Sequence, residues 1–186
     1  MTLLESINIP LNTPVIDFKL PATSGGTYSP SDFDDKKILV IIFMCNHCPY
    51  VHAIINRLIS IQSDYLEKGV QLIGINANDA ENYPDDSFES MKDFVVDRGI
   101  NFVYLRDEDQ TTAKAYKAQC TPDIYVFDSK RQLVYHGRID DNWKNEFAVS
   151  KNELRDALDS ILSNQKVPEN QLPTIGCSIK WKKEHL

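Results

Sequence analysis

Two cysteines separated by two residues, Cys45 and Cys48, carry the most legible chemistry in this chain. A Cys-x-x-Cys holds two thiols within reach of one disulfide, and a thiolate in such a pair attacks other disulfides. Asn46 and His47 stand between them and Pro49 follows. A protonated His47 would set positive charge beside the Cys45 sulfur and favour its anion. Cys45, His47, Cys48 and His52 are also the ligand types of a soft-metal site. No second ligand cluster at finger-like spacing accompanies them, so the reading takes no metal and no cofactor. Haem attachment needs histidine directly after the second cysteine, where Pro49 stands.

The flanking elements must position this pair. Ile38 to Met44 is an unbroken apolar run, as in a strand covered on both faces. After the cysteines the apolar positions fall at Val51, Ile54, Ile55, Leu58, Ile61 and Tyr65, which is helical spacing. The pair therefore marks the hinge between a buried strand and a helix. That helix is expected from about His47 to Glu67, with Asn46 as N-cap, Pro49 in the first turn and Gly69 past the end. Cys45 would then face the unpaired N–H groups and positive dipole end of the helix. Its pKa is expected below the free value of about 8.5, with Cys48 one turn further in and more buried.

A second signal is Cys120-Thr121-Pro122-Asp123, directly before an apolar strand. Thr121-Pro122 suits a cis peptide. In this order of elements the loop lies beside the Cys-x-x-Cys, its backbone free to pair with a bound extended chain. Cys120 reads as a buried filler or a third redox thiol. Cys177 reads as tail packing or as a thiol that folds back to resolve an oxidised Cys45. Tyr50, Trp143 and Trp181 are candidates for an apolar rim or for core and tail anchors. Asp140-Asp141 reads as a turn, and Lys180 to Lys183 as a solvated end.

The remaining elements read as follows. Residues 1 to 14 form an extended lead-in, and 15 to 28 two short strands around Ser24-Gly25-Gly26. Val70 to Asn76 is a strand, and 77 to 86 a polar loop. Asp86 with Glu89 resembles a capping box for a helix whose apolar face ends at Gly99. Phe102 to Leu105 is a strand, Asp107 to Lys117 a short helix, and Ile124 to Asp128 with Gln132 to Gly137 a hairpin. Ser150 with Glu153 suggests a second capping box, before the stripe Leu154, Leu158, Ile161 and Leu162. The pattern is α/β, with parallel pairing first and antiparallel pairing last.

The chain has 186 residues, 42% hydrophobic and 25% charged, which is ordinary for one soluble domain. A net charge of −7 argues against nucleic-acid and anionic-membrane partners. The start, Met1 to Ile7, lacks the basic region of a secretion signal, and no apolar run is long enough to span a bilayer. The expectation is a cytoplasmic protein in which cysteines serve catalysis rather than a disulfide framework.

Five segments then carry a resemblance: Cys45 to Val51, Cys120 to Asp123, Tyr125 to Asp128, Gly137 to Asn142 and Gly176 to Trp181. Together they resemble the peroxiredoxin-like branch of the thioredoxin superfamily, the alkyl hydroperoxide reductase/thiol-specific antioxidant-like proteins, here with a Cys-Asn-His-Cys motif. The resemblance implies a thioredoxin-like fold, with a central mixed sheet flanked by helices. Residues 1–37 would be an N-terminal β extension, 38–164 the core and 165–186 an extended C-terminal tail. It also implies a thiol redox enzyme with antioxidant activity. Its site is expected to comprise Cys45, Cys48, His47, Thr121 and Pro122, with Cys120 and Cys177 as additional redox candidates. Partners would be a disulfide-containing protein or small thiol substrate and an external dithiol donor.

Two departures shape the activity expected. The peroxiredoxin loop Pro-x-x-x-Thr/Ser-x-x-Cys is missing: Cys45 and Ile41 stand three and seven residues before Cys48, and Ile42 and Ile38 before Cys45. Thr121-Pro122 occupies the place of the peroxiredoxin arginine. Without those donors to the peroxide oxygens, dithiol–disulfide exchange is expected ahead of peroxide reduction. Leu39 replaces the buried acid of thioredoxins, so the Cys48 proton must go to His47, His52 or water. Protein disulfide isomerase also has a histidine between its cysteines. A potential above the thioredoxin value of about −270 mV is expected here.

Overall fold

The computed structural model describes residues 3–183. The first two residues of the expected extension and the last three of the expected tail lie outside them. In chain order the strands and helices are β1 (Leu3–Glu5), β2 (Leu20–Pro21), β3 (Thr27–Tyr28), β4 (Ile38–Phe43), α1 (Pro49–Tyr65), β5 (Val70–Asn76), α2 (Phe88–Arg98), β6 (Val103–Arg106), α3 (Thr111–Ala115), β7 (Cys120–Thr121), β8 (Asp123–Phe127), β9 (Leu133–His136), α4 (Glu153–Leu162) and β10 (Ile175–Ser178).

The central sheet has the order β6-β5-β4-β8-β9. Strand β4 pairs parallel with β5 and antiparallel with β8, so the sheet is mixed and thioredoxin-like. All six residues of β4 are buried, because helices and extension cover opposite faces. Side chains alternate across a strand. Ile38, Val40 and Ile42 join a core with Val51, Ile54 and Leu58 of α1, Met91 of α2, and Leu154 and Leu158 of α4. Leu39, Ile41 and Phe43 join a second core with Phe18, Leu20 and Phe33 of the extension and Ala113 of α3.

Glycines stop two helical segments where the spacing predicts. Gly69 (φ 87°) follows a 3-10 turn after α1, and Gly99 (φ 64°) follows α2; both are left-handed, which glycine adopts without steric cost. The hairpin around Ser24-Gly25-Gly26 also forms, as the short pair β2–β3.

Other local expectations shift. Helix α1 begins at Pro49 rather than His47, with Cys48 as N-cap. Helix α2 is capped by Ser87, whose Oγ accepts the Ser90 N–H at 3.2 Å, so Asp86 is not its cap. Ser150 does not cap α4; its N–H bonds Asp141 instead, and Asn152 takes the N-cap position. The lead-in and the tail are not merely extended. β1 pairs with β10, and β10 with β7, in a second sheet. Residues from the two ends of the chain thus meet at the Thr121 corner.

Candidate active site

The end of β4 delivers Met44 and Cys45, Asn46 and His47 turn, and Cys48 caps α1. The Thr121-Pro122 peptide is cis and lies against both sulfurs. Cys45 Sγ is 3.3 Å from Thr121 Oγ1, and Cys48 Sγ is 3.1 Å from the Thr121 carbonyl oxygen. The structure therefore brings Cys45, Cys48, Thr121 and Pro122 together. Both sulfurs are buried and no disulfide joins them.

The electrostatics of the site favour an anion at Cys48 over one at Cys45. Cys48 is drawn down to about 5, first by the hydrogen bond from Cys45 and then by those from Cys177, the Val51 N–H and Thr121, against burial, which raises it. Cys45 moves the other way, well above its ordinary range, because it donates to Cys48, is desolvated and faces the Asp86 charge. The Thr121 carbonyl is the contact that favours a protonated Cys48; the donors outweigh it.

Helix geometry explains this correction. Asn46 does not cap α1, because its groups are engaged elsewhere. Its N–H donates to Asp86 Oδ1 at 2.7 Å, its Nδ2 to the Asp85 carbonyl at 2.7 Å, and its Oδ1 accepts from Tyr104 Oη at 3.0 Å. The helix then starts at Pro49, which puts Cys48 rather than Cys45 at the N-cap, beside the unpaired N–H groups of the first turn.

His47 is tied down beside the pair. Its Nδ1 lies 2.5 Å from Asp86 Oδ2, and its ring stacks on Tyr83 at 5.6 Å. The bond to Asp86 raises the His47 pKa above its ordinary 6.5. Burial pushes the Asp86 carboxyl up, but hydrogen bonds from His47, Asn78 and the Asn46 N–H together hold it below its ordinary range. His47 is thus half of an ion pair rather than a lone cation, and the Asp86 charge opposes an anion at Cys45. What favours the dithiol form is the hydrogen bonding around Cys48.

Asp86, Asn76, Asn78 and Tyr104 are the site residues that sequence reasoning missed. Asn76 Nδ2 and Asn78 Nδ2 donate to the Asp86 carboxylate at 3.1 and 2.8 Å. The available signal was a run of Asn and Asp directly after a buried strand. His52 is not brought in: its Nε2 meets the Asn46 carbonyl and its Nδ1 meets Arg98 Nη2 at 2.6 Å. Ligand atoms of Cys45, His47 and Asp86 do lie within 4.8 Å of one another. Yet the His47–Asp86 contact of 2.5 Å is that of a shared proton. Two ligands of one zinc ion sit about 3 Å apart or more, given its bond lengths near 2 Å.

The other predicted residues divide. Cys120 is buried, its pKa raised by burial, and its Sγ faces the Pro122 carbonyl at 3.6 Å. Cys177 is buried in β10, opposite Thr121 and in the same core as Cys48, whose sulfur it interacts with. Tyr50 and Trp143 pack at 4.2 Å beside a small cleft of about 60 Å³ that Pro122 and Ile175 also line. Trp181 lies outside that cleft. Asp140 is more than a turn residue: it is buried in an ion pair with Arg57. Lys180 is not simply solvated: its Nζ donates to the Ser178 carbonyl at 2.8 Å. A surface cleft of about 620 Å³ runs between the Asp128–Lys130 turn and Val167 and is lined by none of the cysteines.

Residues 11–136 match the AhpC/TSA family. No curated protein matches the chain. Among solved structures, an uncharacterized conserved protein from Geobacillus kaustophilus is 44% identical, with a TM-score of 0.94 over 99% of this chain and 98% of that one. A hypothetical protein from Sinorhizobium meliloti is 39% identical, with a TM-score of 0.91 over 96% and 98%. A thiol:disulfide interchange protein of the thioredoxin family from Chlorobium tepidum shares the fold at 16% identity, with a TM-score of 0.63 over 84% and 99%.

Proposed function

The chain belongs to the AhpC/TSA family, and from that premise we propose that it is a thiol–disulfide oxidoreductase acting through Cys45 and Cys48. The observation that carries the reading is the Cys48 sulfur at the N-cap of α1, 3.1 Å from the carbonyl of the cis Thr121-Pro122 corner that Cys45 Sγ also meets. Cys48 thiolate attacks a substrate disulfide, forming a mixed disulfide and releasing one substrate thiolate. Cys45 gives up its proton and attacks Cys48 Sγ. The Cys45–Cys48 bond forms as the Cys48–substrate bond breaks, and the second substrate thiol leaves. The substrate gains two electrons and the pair loses two. An external dithiol then resets the pair. The second substrate sulfur, which departs as a thiolate, takes up the proton that Cys45 gives up. The substrates are disulfide-containing proteins or small disulfides, and the setting is the cytoplasm, whose dithiol systems supply the donor.

Peroxide reduction is the alternative, favoured by the family and by the low-pKa thiolate. A peroxide would oxidise Cys48 to a sulfenic acid, which Cys45 would condense into the same disulfide. The donors to Cys48 are thiols, a hydroxyl and an amide rather than an arginine, and this places exchange first. Parallel assays decide: reduction of a protein disulfide by the dithiol form should outpace consumption of hydrogen peroxide. The opposite order overturns the assignment.

A further inference from the structure

Cys48 has a thiol on each side. Cys45 precedes it in sequence; Cys177 reaches it from the far end of the chain. β10 is the middle strand of the sheet β1-β10-β7, with Cys177 opposite Thr121 and Ser178 opposite Cys120. The Thr121 backbone, expected to await a bound chain, is therefore already paired with the protein's own tail. The fit is close. A Cβ on Gly176 would lie 2.2 Å from the Thr121 carbonyl oxygen and 2.6 Å from its carbon, so only glycine lets the strand seat there. Beyond it, the Ile179 N–H bonds the Gln119 carbonyl at 3.0 Å, and the Lys180 N–H bonds Asn78 Oδ1 at 2.8 Å. Cys177 stands opposite Thr121, whose carbonyl lies 3.1 Å from Cys48 Sγ, and shares a core with Cys48, so the strand holds the buried Cys177 thiol beside the reactive sulfur.

We propose that Cys177 is a third redox thiol of this centre, exchanging with the Cys45–Cys48 disulfide to form a Cys48–Cys177 disulfide that fastens β10 over the Thr121 corner. The inference rests on the exchange reading for the disulfide it starts from. Cys177 sulfur attacks Cys48 Sγ; the Cys48–Cys177 bond forms and the Cys45–Cys48 bond breaks. Cys45 leaves as a thiolate and takes the proton that Cys177 gave up. One disulfide replaces another, and no outside oxidant or reductant is consumed. Burial holds the Cys177 proton, and so does the hydrogen bond to Cys48. The second hold vanishes once Cys48 is in a disulfide, so Cys177 becomes more reactive when the pair is oxidised. The closed form blocks the Thr121 backbone from any substrate chain while returning Cys45 to the thiol state.

Oxidised glutathione as the oxidant, an acid quench, alkylation and peptide mass mapping test this. Wild-type protein should yield both the Cys45–Cys48 and the Cys48–Cys177 bonds. In Cys45→Ser, the glutathione adduct on Cys48 should be lost with time as Cys48–Cys177 appears. In Cys45→Ser/Cys177→Ser the adduct should persist. The inference is overturned if Cys177 stays fully alkylated in the wild type and the adduct persists in Cys45→Ser. If wild type closes Cys45–Cys48 in that case, only this inference falls. If Cys45–Cys48 never closes in any oxidised sample, the exchange reading falls as well. The wild-type arm does not depend on any variant folding.

Discussion

Cys45 and Cys48 meet at one residue, Cys45 Sγ lying 3.3 Å from Thr121 Oγ1 and Cys48 Sγ 3.1 Å from the Thr121 carbonyl oxygen, and their interaction favours the anion at Cys48. Two facts of local structure combine to set this direction. Asn46 is bound by Asp86, Asp85 and Tyr104, which delays the helix to Pro49. The delayed start puts Cys48 at the N-cap, beside the unpaired N–H groups of the first turn.

Division of labour between the cysteines follows. Cys48→Ser should lower the rate of disulfide reduction on the order of a thousandfold or more, since the nucleophile is gone. Cys45→Ser should instead still form mixed disulfides on Cys48, which accumulate once Cys177 is replaced as well, in Cys45→Ser/Cys177→Ser. Mass spectrometry of quenched reactions reads both. Mixed disulfides trapped on Cys45 in a Cys48→Ser protein would reverse the assignment.

Asp86→Asn should release His47. With the carboxylate gone, the His47 pKa should fall toward its ordinary 6.5, followed by NMR titration of the ring. The sign of the pH effect on stability can be worked out. Asp86 has a lowered folded pKa, so its contribution is complete above its ordinary 3.8 and is lost as pH falls through the lower folded value. His47 has a raised folded pKa, so its contribution is complete below 6.5 and is lost as pH rises through the higher folded value. The pair therefore stabilises the fold most between about pH 4 and 6.5. Denaturation midpoints across pH should show a gap between wild type and Asp86→Asn that is widest there.

Gly176→Ala should unseat β10. The added Cβ meets backbone of Thr121, which cannot rotate away, so a cost on the order of 1–3 kcal/mol is expected. Urea denaturation reads the loss. Hydrogen exchange should speed up selectively at β1 and β10 amides, with β4 and β5 unaffected.

Ile42→Ala tests the core beneath the site. Ile42 is fully buried among α1 and the helices beside it, and removing its side chain leaves a cavity. A loss of about 2–5 kcal/mol is expected from thermal or urea unfolding.

Much of this was legible in the sequence, for reasons that can be named. The apolar run Ile38–Met44 and the helical spacing from Val51 are local signals, and they placed the strand–helix hinge correctly. Gly69 and Gly99 marked ends because left-handed backbone is a local demand. The Thr121-Pro122 corner was open to a cis reading because an X-Pro bond takes that form at modest cost. Less was legible where partners are distant. Pairing of Leu3–Glu5 with Ile175–Ser178 depends on backbone hydrogen bonds across nearly the whole chain, which leave little trace in side-chain pattern. Asp86 looked like a helix cap because a carboxylate near Glu89 commonly is one. Its burial is possible only through His47, Asn76, Asn78 and the Asn46 N–H, contacts that arise after folding. The same holds at the hinge: a start two residues later than the spacing predicts puts Cys48, not Asn46, at the N-cap.

The rate of iodoacetamide alkylation against pH, with the modified cysteine identified by peptide mapping, tests the central claim most directly. The account predicts that Cys48 is labelled first, with a half-maximal rate near pH 5. Labelling of Cys45 ahead of Cys48, or a Cys48 profile rising only near the free-thiol value of about 8.5, would contradict it.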